Sequence, residues 1–494
     1  MRRGRLEALV TLVIACIFLL VPGEVLGQAN QTFDLATLLR ARDPETMIGG
    51  LKNEMQDKVR ARWSQLVMED SQVALERNQA NLYPNPSIQA YVNRLGQSLI
   101  PREASENIFI TFRIVEDPHP YADSLATGTV YLSTGMISLL DNESQLAFLL
   151  MHEAGHVMLS HNVHQIIEEE KAEKRADRIR LIGAAAGALA GAVGVGGKGD
   201  LVGAVGAGLV GMAGTDIGVS IANSFRARRF MKEIQLESDQ FATEILLQQG
   251  FDAREAPALM AKVGDLIRRS GPAVELAFGN ARDLPQRSAR LKELLGSSYQ
   301  PVVSRILDGD GFRMSSPRYS QLMAELKRDN GLLALERDLF VIARSNLEEA
   351  AAVRTDDPLT MYGLGMLYRT VGRTDEDVAR ASNYLKSAME FDDVRHRFPE
   401  SYLHYAVELL SREDPQRYPE IQVALRSYVV LHQRKLGGSL PREMQFVYDY
   451  LDLTGDRSWV AYNVSNVSSE APYQLTGDAK IDGSQPAEKR SSKK

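Results

Sequence analysis

The segment His152-Glu153-Ala154-Gly155-His156 constrains this chain more than any other part of its sequence. Two histidines four residues apart share one face of an α-helix, so both imidazoles can reach a single metal ion. Glu153 lies beside them and is placed to take a proton from a metal-bound water. The segment therefore predicts a helical, hydrolytic metal site; two structural histidines on a surface face are the alternative. His161 and His164 follow near the end of the predicted helix and are expected to be exposed.

The surroundings of this segment predict a buried helix that follows a small sheet. Strands are predicted at Ile108–Val115 and Thr129–Ser133, where β-branched and aromatic residues predominate. Asn142 precedes an apolar run and Gln145 follows it by three residues, which is the arrangement of a capping box. The helix is predicted to run to about Asn162. Burying two histidines and a glutamate in such an apolar helix costs free energy unless they bind a partner, so the pattern favours a functional site.

The N-terminal residues predict export from the cytoplasm. A basic start with three arginines precedes an uncharged apolar run, Ala8–Val21, which is shorter than the roughly 20 residues that span a bilayer. We predict a signal peptide at residues 1–27, cleaved near Gly27; an uncleaved anchor is the alternative. The single cysteine, Cys16, lies inside this run. Its removal excludes disulfides, thiolate-bound zinc and cysteine catalysis from the mature protein.

Length and composition predict several domains and argue against one class of partner. The 494 residues suffice for two to four domains, and the net charge of -7 gives no attraction to nucleic acid. We predict an N-terminal helical segment at 28–82, a metalloprotease domain at 83–300, a helical repeat region at 301–462 and a disordered tail at 463–494. The protease domain contains a Gly/Ala-rich insert at 181–222, for which a small-residue hairpin, a membrane-surface segment, a lid and a mobile loop stay open.

The repeat region is predicted from one helical pattern. Met361–Tyr368 fits the first helix of a tetratricopeptide repeat, and another unit starts about forty residues later, at Pro399. This spacing exceeds the roughly 34 residues of a regular repeat. The repeats are therefore degenerate, and plain helical packing is the alternative.

The motifs together resemble the BepA/HtpX-type zinc metalloproteases, a family that includes the CAAX-prenyl endoproteases. The resemblance rests on Asp141–Ala147 leading into the His152–His156 segment, on Glu237–Ala242 and on Gly250–Asp252. It implies an α+β fold, with a gluzincin-like zinc metalloprotease domain followed by an all-α tetratricopeptide-like helical repeat region. It also implies one zinc ion per chain, endopeptidase activity on protein substrates, and a periplasmic role in the quality control or assembly of envelope proteins.

The resemblance also assigns the site residues. His152 and His156 match the first two zinc ligands, and Glu153 matches the general base. Asp239 matches an acid that assists at the tetrahedral intermediate. The family's third zinc ligand is a glutamate four residues before that aspartate, and this chain has Gln235 there. A glutamine carbonyl can coordinate zinc, but it is neutral and binds more weakly than a carboxylate.

Further departures from the family pattern surround this position. Glu233 and Glu237 lie two residues to either side of Gln235, about 200° around a helix, and are expected to face elsewhere unless the helix is distorted. The periplasmic members have a His-Pro pair before an arginine, and Asn280–Arg287 contains no histidine. Tyr121–Ser124 lacks the asparagine that the family usually has beside the cleft.

We therefore predict a zinc-dependent endopeptidase of the cell envelope, whose strand Thr129–Ser133 pairs with extended substrates. The expected partners are protein substrates or clients, envelope assembly machinery bound by the repeats, and a peripheral membrane contact. The alternative is a weakly active or inactive scaffold that binds envelope clients; Gln235 favours it, and the intact His152–His156 segment opposes it. A membrane-embedded enzyme is disfavoured, because no clean apolar span follows residue 27.

Overall fold

The computed structural model describes residues 35–102, 109–174, 232–270, 283–313, 315–392, 398–436 and 444–454. The predicted signal peptide at 1–27, the Gly/Ala-rich insert at 181–222 and the predicted tail at 463–494 lie outside the described residues. The described part is mostly helical and contains one three-stranded sheet. None of its helices combines the length and the apolar composition needed to cross a membrane.

Three helices form the N-terminal segment. These are α1 (Leu35–Ala41), α2 (Pro44–Gly49) and α3 (Asn53–Ala80). Asp43 ends the first helix and caps the second, because its side chain accepts a hydrogen bond from Thr46 N and Pro44 follows it at the first helical position. The long helix α3 buries one narrow stripe that includes Val59, Leu66 and Val73, and this stripe packs against residues 163–167 and against Tyr131.

The sheet contains β1 (Thr111–Val115), β2 (Ala122–Ser124) and β3 (Thr129–Ser133), in the order β1-β3-β2. β3 pairs in parallel with β1 and antiparallel with β2. Both of its edges are therefore occupied by neighbouring strands. The prediction that Thr129–Ser133 pairs with an extended substrate is wrong for this reason.

The outer edge of β1 is covered by helix α4 (Pro86–Leu99). Amide side chains at successive turns of α4 bind the strand's backbone: Gln89 bonds both the N–H and the C=O of Ile114, and Asn93 accepts from Phe112 N. Gln97 continues the row to Ile110 O. β2 is therefore the outer strand of the described sheet, and its three residues are buried.

The helix that contains the His152–His156 segment is short and wholly inside the protein. Ser133 caps a first turn of helix, α5 (Thr134–Ser138), and Asn142 then caps α6 (Glu143–Met158) by accepting a hydrogen bond from Gln145 N at 2.9 Å. The chain turns at Ser160, where φ is 49°, and continues as helix α7 over residues 161–174. The prediction of one helix to Asn162 is wrong at its end, because this left-handed residue changes the helix direction.

Further helices complete the protease core and continue into the C-terminal region. The core helices are α8 (Lys232–Gln248), α9 (Glu255–Ser270), α10 (Leu284–Gly296) and α11 (Gln300–Asp308). The C-terminal helices are α12 (Pro317–Glu336), α13 (Phe340–Val353), α14 (Pro358–Val371), α15 (Asp375–Asp392), α16 (Glu400–Leu410), α17 (Tyr418–Leu436) and α18 (Gln445–Leu453), with a 3-10 turn at Pro415–Arg417 before α17. Neighbouring C-terminal helices pack in pairs, α12 with α13, α14 with α15 and α16 with α17.

Candidate metal centre

The two motif histidines meet inside the protein. His152, Glu153 and His156 lie on α6 and are 3%, 5% and 5% exposed. The Nε2 atoms of His152 and His156 are 3.3 Å apart. A helical separation of four residues explains this approach, because it places the two rings on one face.

Helix α8 crosses α6 at Gly155. A Cβ atom at this position would lie 3.1 Å from Phe241 Cδ1 and 3.3 Å from Ser238 Oγ, so the missing side chain lets the two helices approach closely. Gln235 and Asp239, one turn apart on α8, are thereby brought against the histidines. Gln235 Nε2 lies 3.4 Å from His156 Nε2.

These atoms fit the ligand spacing of zinc. Tetrahedral zinc with bonds of 2.0–2.1 Å has neighbouring ligand atoms about 3.3 Å apart, and the distances from His156 Nε2 to His152 Nε2 and to Gln235 Nε2 are 3.3 and 3.4 Å. A half-turn of the Gln235 amide group puts its carbonyl oxygen where Nε2 stands. Among the described residues no three His, Cys, Asp or Glu side chains form a metal-binding group, because the third member of this cluster is a glutamine.

Asp239 orients His152. Its Oδ1 lies 2.9 Å from His152 Nδ1, and Arg287 donates to both of its oxygens at 2.7 Å. Burial raises the pKa of Asp239, but Arg287 and His152 outweigh it, so the pKa of this fully buried carboxyl stays below its usual range. This contact with Asp239 holds the His152 ring so that its Nε2 atom faces the cluster.

His161 orients His156 in a similar way. The prediction that His161 is exposed is wrong: it is 3% exposed, because the turn at Ser160 folds it under α6. Its Nδ1 lies 2.9 Å from His156 Nδ1, and its Nε2 lies 3.2 Å from Glu237 Oε2. Burial lowers the pKa of His161, against the opposing effect of Glu237. His164, also predicted to be exposed, is half-buried and contacts Arg42.

The structure separates the three candidates for the third ligand position. Gln235 is 7% exposed and faces the histidines. Glu237 faces His161 and Arg42, and it accepts from Arg42 at 2.7 and 2.9 Å. Glu233 is exposed to solvent. Only Gln235 among them contacts the two-histidine cluster.

Two neighbouring features define the space around the cluster. A pocket of about 320 Å³ reaches His156 and is lined by Trp63, Val157 and the turn Ala126–Gly128. The strand β2 lies beside α6 on the outer side of the sheet. Tyr121 O accepts a hydrogen bond from Ser133 N, and Leu125 N donates one to Thr129 O. Because hydrogen-bonded pairs alternate along an antiparallel ladder, the N–H and C=O groups of Ala122 point away from β3.

Sequence spacing pointed to His152, Glu153, His156, Gln235 and Asp239. The structure brings four of them into contact, and Glu153 is buried next to His152 on α6. Sequence spacing did not point to Arg42, His161 or Arg287 as their partners. Arg287 is the last residue of the stretch where the family's histidine is missing, and His161 follows His156 by five residues; these were the only traces in the sequence.

Known proteins resemble this chain over the same region. The beta-barrel assembly-enhancing protease of Yersinia pestis is 26% identical over 204 residues, which are 41% of this chain and 38% of that protein. The protein of the same name from Escherichia coli (strain K12) is 24% identical over 254 residues, or 51% and 48% of the two chains. A putative beta-barrel assembly-enhancing protease of Vibrio cholerae is 24% identical over 210 residues, 41% of this chain and 38% of its own. The chain thus spans less than half the length of these curated relatives.

The family comparison covers the cluster completely. Residues 84–318 match the description Peptidase family M48, whose members are zinc metalloproteases. The matched range contains the sheet, the helix α6 with both histidines, and the helix α8 with Gln235 and Asp239. Residues 84–318 are therefore similar to the zinc metalloproteases of peptidase family M48.

Proposed function

We propose that this protein is a zinc-dependent endopeptidase that cleaves misfolded or assembling proteins of the cell envelope. The observation that carries the proposal is the buried cluster of His152, His156 and Gln235, in which His156 Nε2 lies 3.3 and 3.4 Å from the other two side chains, with buried Glu153 next to His152 on α6. The names of the relatives, beta-barrel assembly-enhancing protease, support the envelope as the site of action. Residues 1–27 would direct the chain to the periplasm as a cleaved signal peptide.

His152, His156 and Gln235 would hold the zinc ion. When bound, the ion would act as a Lewis acid and lower the pKa of a water molecule towards about 7. Glu153 accepts the proton of the attacking water and passes it to the leaving amine nitrogen. Asp239 keeps His152 in one tautomer and compensates positive charge that develops in the cluster. Burial of all these groups excludes bulk water, which strengthens each electrostatic interaction.

The substrate would bind as an extended strand beside β2, the outer strand of the described sheet. Ala122 directs its backbone groups away from β3, on the side of the sheet beside α6. Backbone pairing makes cleavage depend on an extended, unfolded shape more than on one side chain. The pocket beside His156 is placed to receive one substrate side chain.

The helices α12–α18 would form a degenerate tetratricopeptide-like array that binds protein clients or envelope assembly machinery. Their packing in antiparallel pairs and the pattern at Met361–Tyr368 support this part of the proposal. A peripheral membrane contact through the Gly/Ala-rich insert is a further expectation.

Cleavage of casein by the purified, zinc-loaded protein tests the proposal. We expect Glu153→Gln to lower cleavage at least about 100-fold while zinc remains bound, because Glu153 is not a ligand. Glu293→Gln, at an exposed glutamate of α10, is the matched control and should cleave as the wild type does. Equal cleavage by the wild type and Glu153→Gln, or none by either, would contradict the proposal.

A second candidate function is a client-binding scaffold with an inactive protease domain. Gln235 favours it, because a neutral ligand holds zinc less firmly than a carboxylate. The zinc content of the purified protein after gentle dialysis separates the two candidates. One zinc per chain, lost in His152→Ala, supports the enzyme, whereas a folded protein without zinc supports the scaffold.

A further inference from the structure

The N-terminal helices lie outside the family match at 84–318, yet one of their residues reaches the metal centre. Arg42, between α1 and α2, donates to Glu237 through Nε at 3.0 Å and through Nη2 at 2.7 and 2.9 Å. Its Nη1 lies 3.1 Å from His164 Nδ1. The Arg42 and Glu237 side chains are 26% and 22% exposed, so this forked ion pair is largely shielded from water.

A continuous series of contacts leads from Arg42 to a metal ligand. Glu237 contacts His161 at 3.2 Å, and His161 contacts His156 at 2.9 Å. Glu237 only accepts hydrogen bonds, so His161 must donate to it through Nε2. His161 Nδ1 lies 2.9 Å from His156 Nδ1, and this contact holds the orientation of the His156 ring. In this orientation His156 Nε2 lies 3.3 Å from His152 Nε2 and 3.4 Å from Gln235 Nε2, on the side where the metal ion would bind.

We propose that Arg42 is a positioning residue of the metal centre. By holding Glu237 in place, it fixes the ring orientation of His156 through His161. The metal affinity of the protease domain therefore depends on the docking of the N-terminal segment, residues 35–80. This inference rests on the proposed function, because it takes His156 as a zinc ligand.

The same segment also holds the rim of the cleft. On α3, Asp70 accepts from Ala126 N at 2.6 Å, in the turn between β2 and β3, and Arg77 pairs with Asp123 of β2 at 2.8 Å. The N-terminal helices thus contact both the outer strand and the ligand chain. A segment that only covered apolar surface would have no need of these directed polar contacts.

The zinc dissociation constant of the full protein, measured by competition with a chromophoric chelator, tests the proposal. We expect Arg42→Ala and Glu237→Gln each to weaken zinc binding about 10- to 100-fold, the usual range for groups that orient a ligand. Arg42→Lys should fall between Arg42→Ala and the wild type, because an ammonium replaces only part of the fork. Arg40→Ala is the matched control: Arg40 belongs to the same segment, is exposed and bonds Thr37. The zinc dissociation constant of this control variant should stay within about twofold of the wild-type value.

A double-mutant cycle separates positioning from general weakening of the structure. If Arg42 acts through Glu237, the double variant binds zinc no more weakly than the weaker single variant. Zinc binding by Arg42→Ala within twofold of the wild type would overturn the proposal, and so would losses that multiply in the double variant. If Arg42→Ala does not fold, the nearly isosteric Glu237→Gln decides alone by the same twofold criterion.

These outcomes are distinct from those that test peptidase activity. Zinc binding that depends on Arg42 in a protein that cleaves no casein refutes the enzyme and leaves Arg42 a positioning residue. Zinc-dependent cleavage with an unchanged Arg42→Ala variant refutes the positioning role alone. The d–d absorption of the cobalt-substituted protein supplies a second readout, since a reoriented His156 changes this spectrum without any substrate.

Discussion

Gln235 is the residue that most distinguishes this metal centre from the pattern of its family. Its amide is buried and lies against His156. It therefore occupies the position of the family's glutamate ligand, but it is neutral. Two neutral imidazoles and a neutral amide carry no negative charge, so the three proposed ligands would not balance the double positive charge of a zinc ion. Asp239 contacts the ring of His152 directly, whereas Glu237 reaches His156 only through His161.

We therefore expect Gln235→Glu to tighten zinc binding by about tenfold or more, because it brings a negative charge next to the ion. Chelator competition measures the change. Gln235→Leu, which has a similar volume and no donor atom, is the control and should weaken binding. Equal affinities of the wild type and the glutamate variant would show that residue 235 does not coordinate the metal.

Arg287 compensates the charge of Asp239 inside the protein. Both side chains are almost fully buried, at 1% and 0% exposure. Replacing Arg287 with methionine removes the cation and leaves the carboxylate in place, which we expect to lower the free energy of unfolding by about 3–5 kcal/mol. Urea denaturation at pH 7 measures the loss.

The matched control for this change lies one turn further along α10. Arg290 pairs with Glu293 at the surface and is 46% exposed. Arg290→Met should change the free energy of unfolding by less than about 1 kcal/mol. Similar losses in Arg287→Met and Arg290→Met would contradict the assigned role of the buried pair.

At the residue scale, the sequence predicted those groups whose geometry is local. His152, Glu153 and His156 share one helical turn, and Gln235 and Asp239 share another, so spacing alone grouped each set. Arg42 is 195 residues from Glu237, and Arg287 is 48 residues from Asp239. Such contacts arise from the packing of helices that are distant in sequence, and helical periodicity carries no information about them.

At the scale of elements, close helix packing in the C-terminal region depends on glycine at Gly363. A Cβ atom there would lie 2.8 Å from a methyl group of Leu332 and 2.8 Å from one of Leu347. Leu347 is fully buried, and a Cβ atom at Gly331 would also lie 2.7 Å from its Cγ atom. α12, α13 and α14 meet at this point.

We expect Gly363→Ala to lower the free energy of unfolding by about 1–3 kcal/mol through overpacking. Leu347→Val should cost less in this background than in the wild type, because it makes room for the added methyl group. Gly264→Ala is the control: its nearest neighbour would be at 3.7 Å, so better helix propensity should stabilise α9 by about 0.5–1 kcal/mol. Urea denaturation compares the variants, and a stabilising Gly363→Ala would refute the overpacking.

The bounds of several helices and strands were predictable from the sequence, but the order in which the strands pair was not. Alternating β-branched residues gave β3 its observed bounds, Thr129–Ser133, and capping chemistry at Asn142 gave the start of α6. The central position of β3 depends on a parallel crossover to β1 and a hairpin to β2. Strand composition does not specify which strands pair with each other. The sequence therefore assigned substrate pairing to β3, both edges of which are occupied by neighbouring strands.

At the scale of the whole molecule, α12 joins the protease domain to the C-terminal helices. Its first half contributes Tyr319, Met323 and Leu326 to the protease core, whereas Leu332 belongs to the core of the helical array. Between them, Asp329 accepts a hydrogen bond from Tyr83 and pairs with Arg328, which also contacts Asp357. One helix thus carries apolar and charged contacts to both sides, with no exposed linker of the kind that separates independent domains.

Because the two cores share α12, we expect the protein to unfold in a single cooperative transition. Arg287→Met weakens the protease core and Gly363→Ala weakens the helical array, yet each should lower the midpoint of the same calorimetric peak. The matched measure is the ratio of calorimetric to van't Hoff enthalpy, which stays near one when the molecule unfolds as a unit. Two peaks, each displaced by only one of the two variants, would instead mean that the array unfolds independently. In that case the array could change conformation on binding a client without disturbing the metal centre, whereas a single unit transmits such a change through α12.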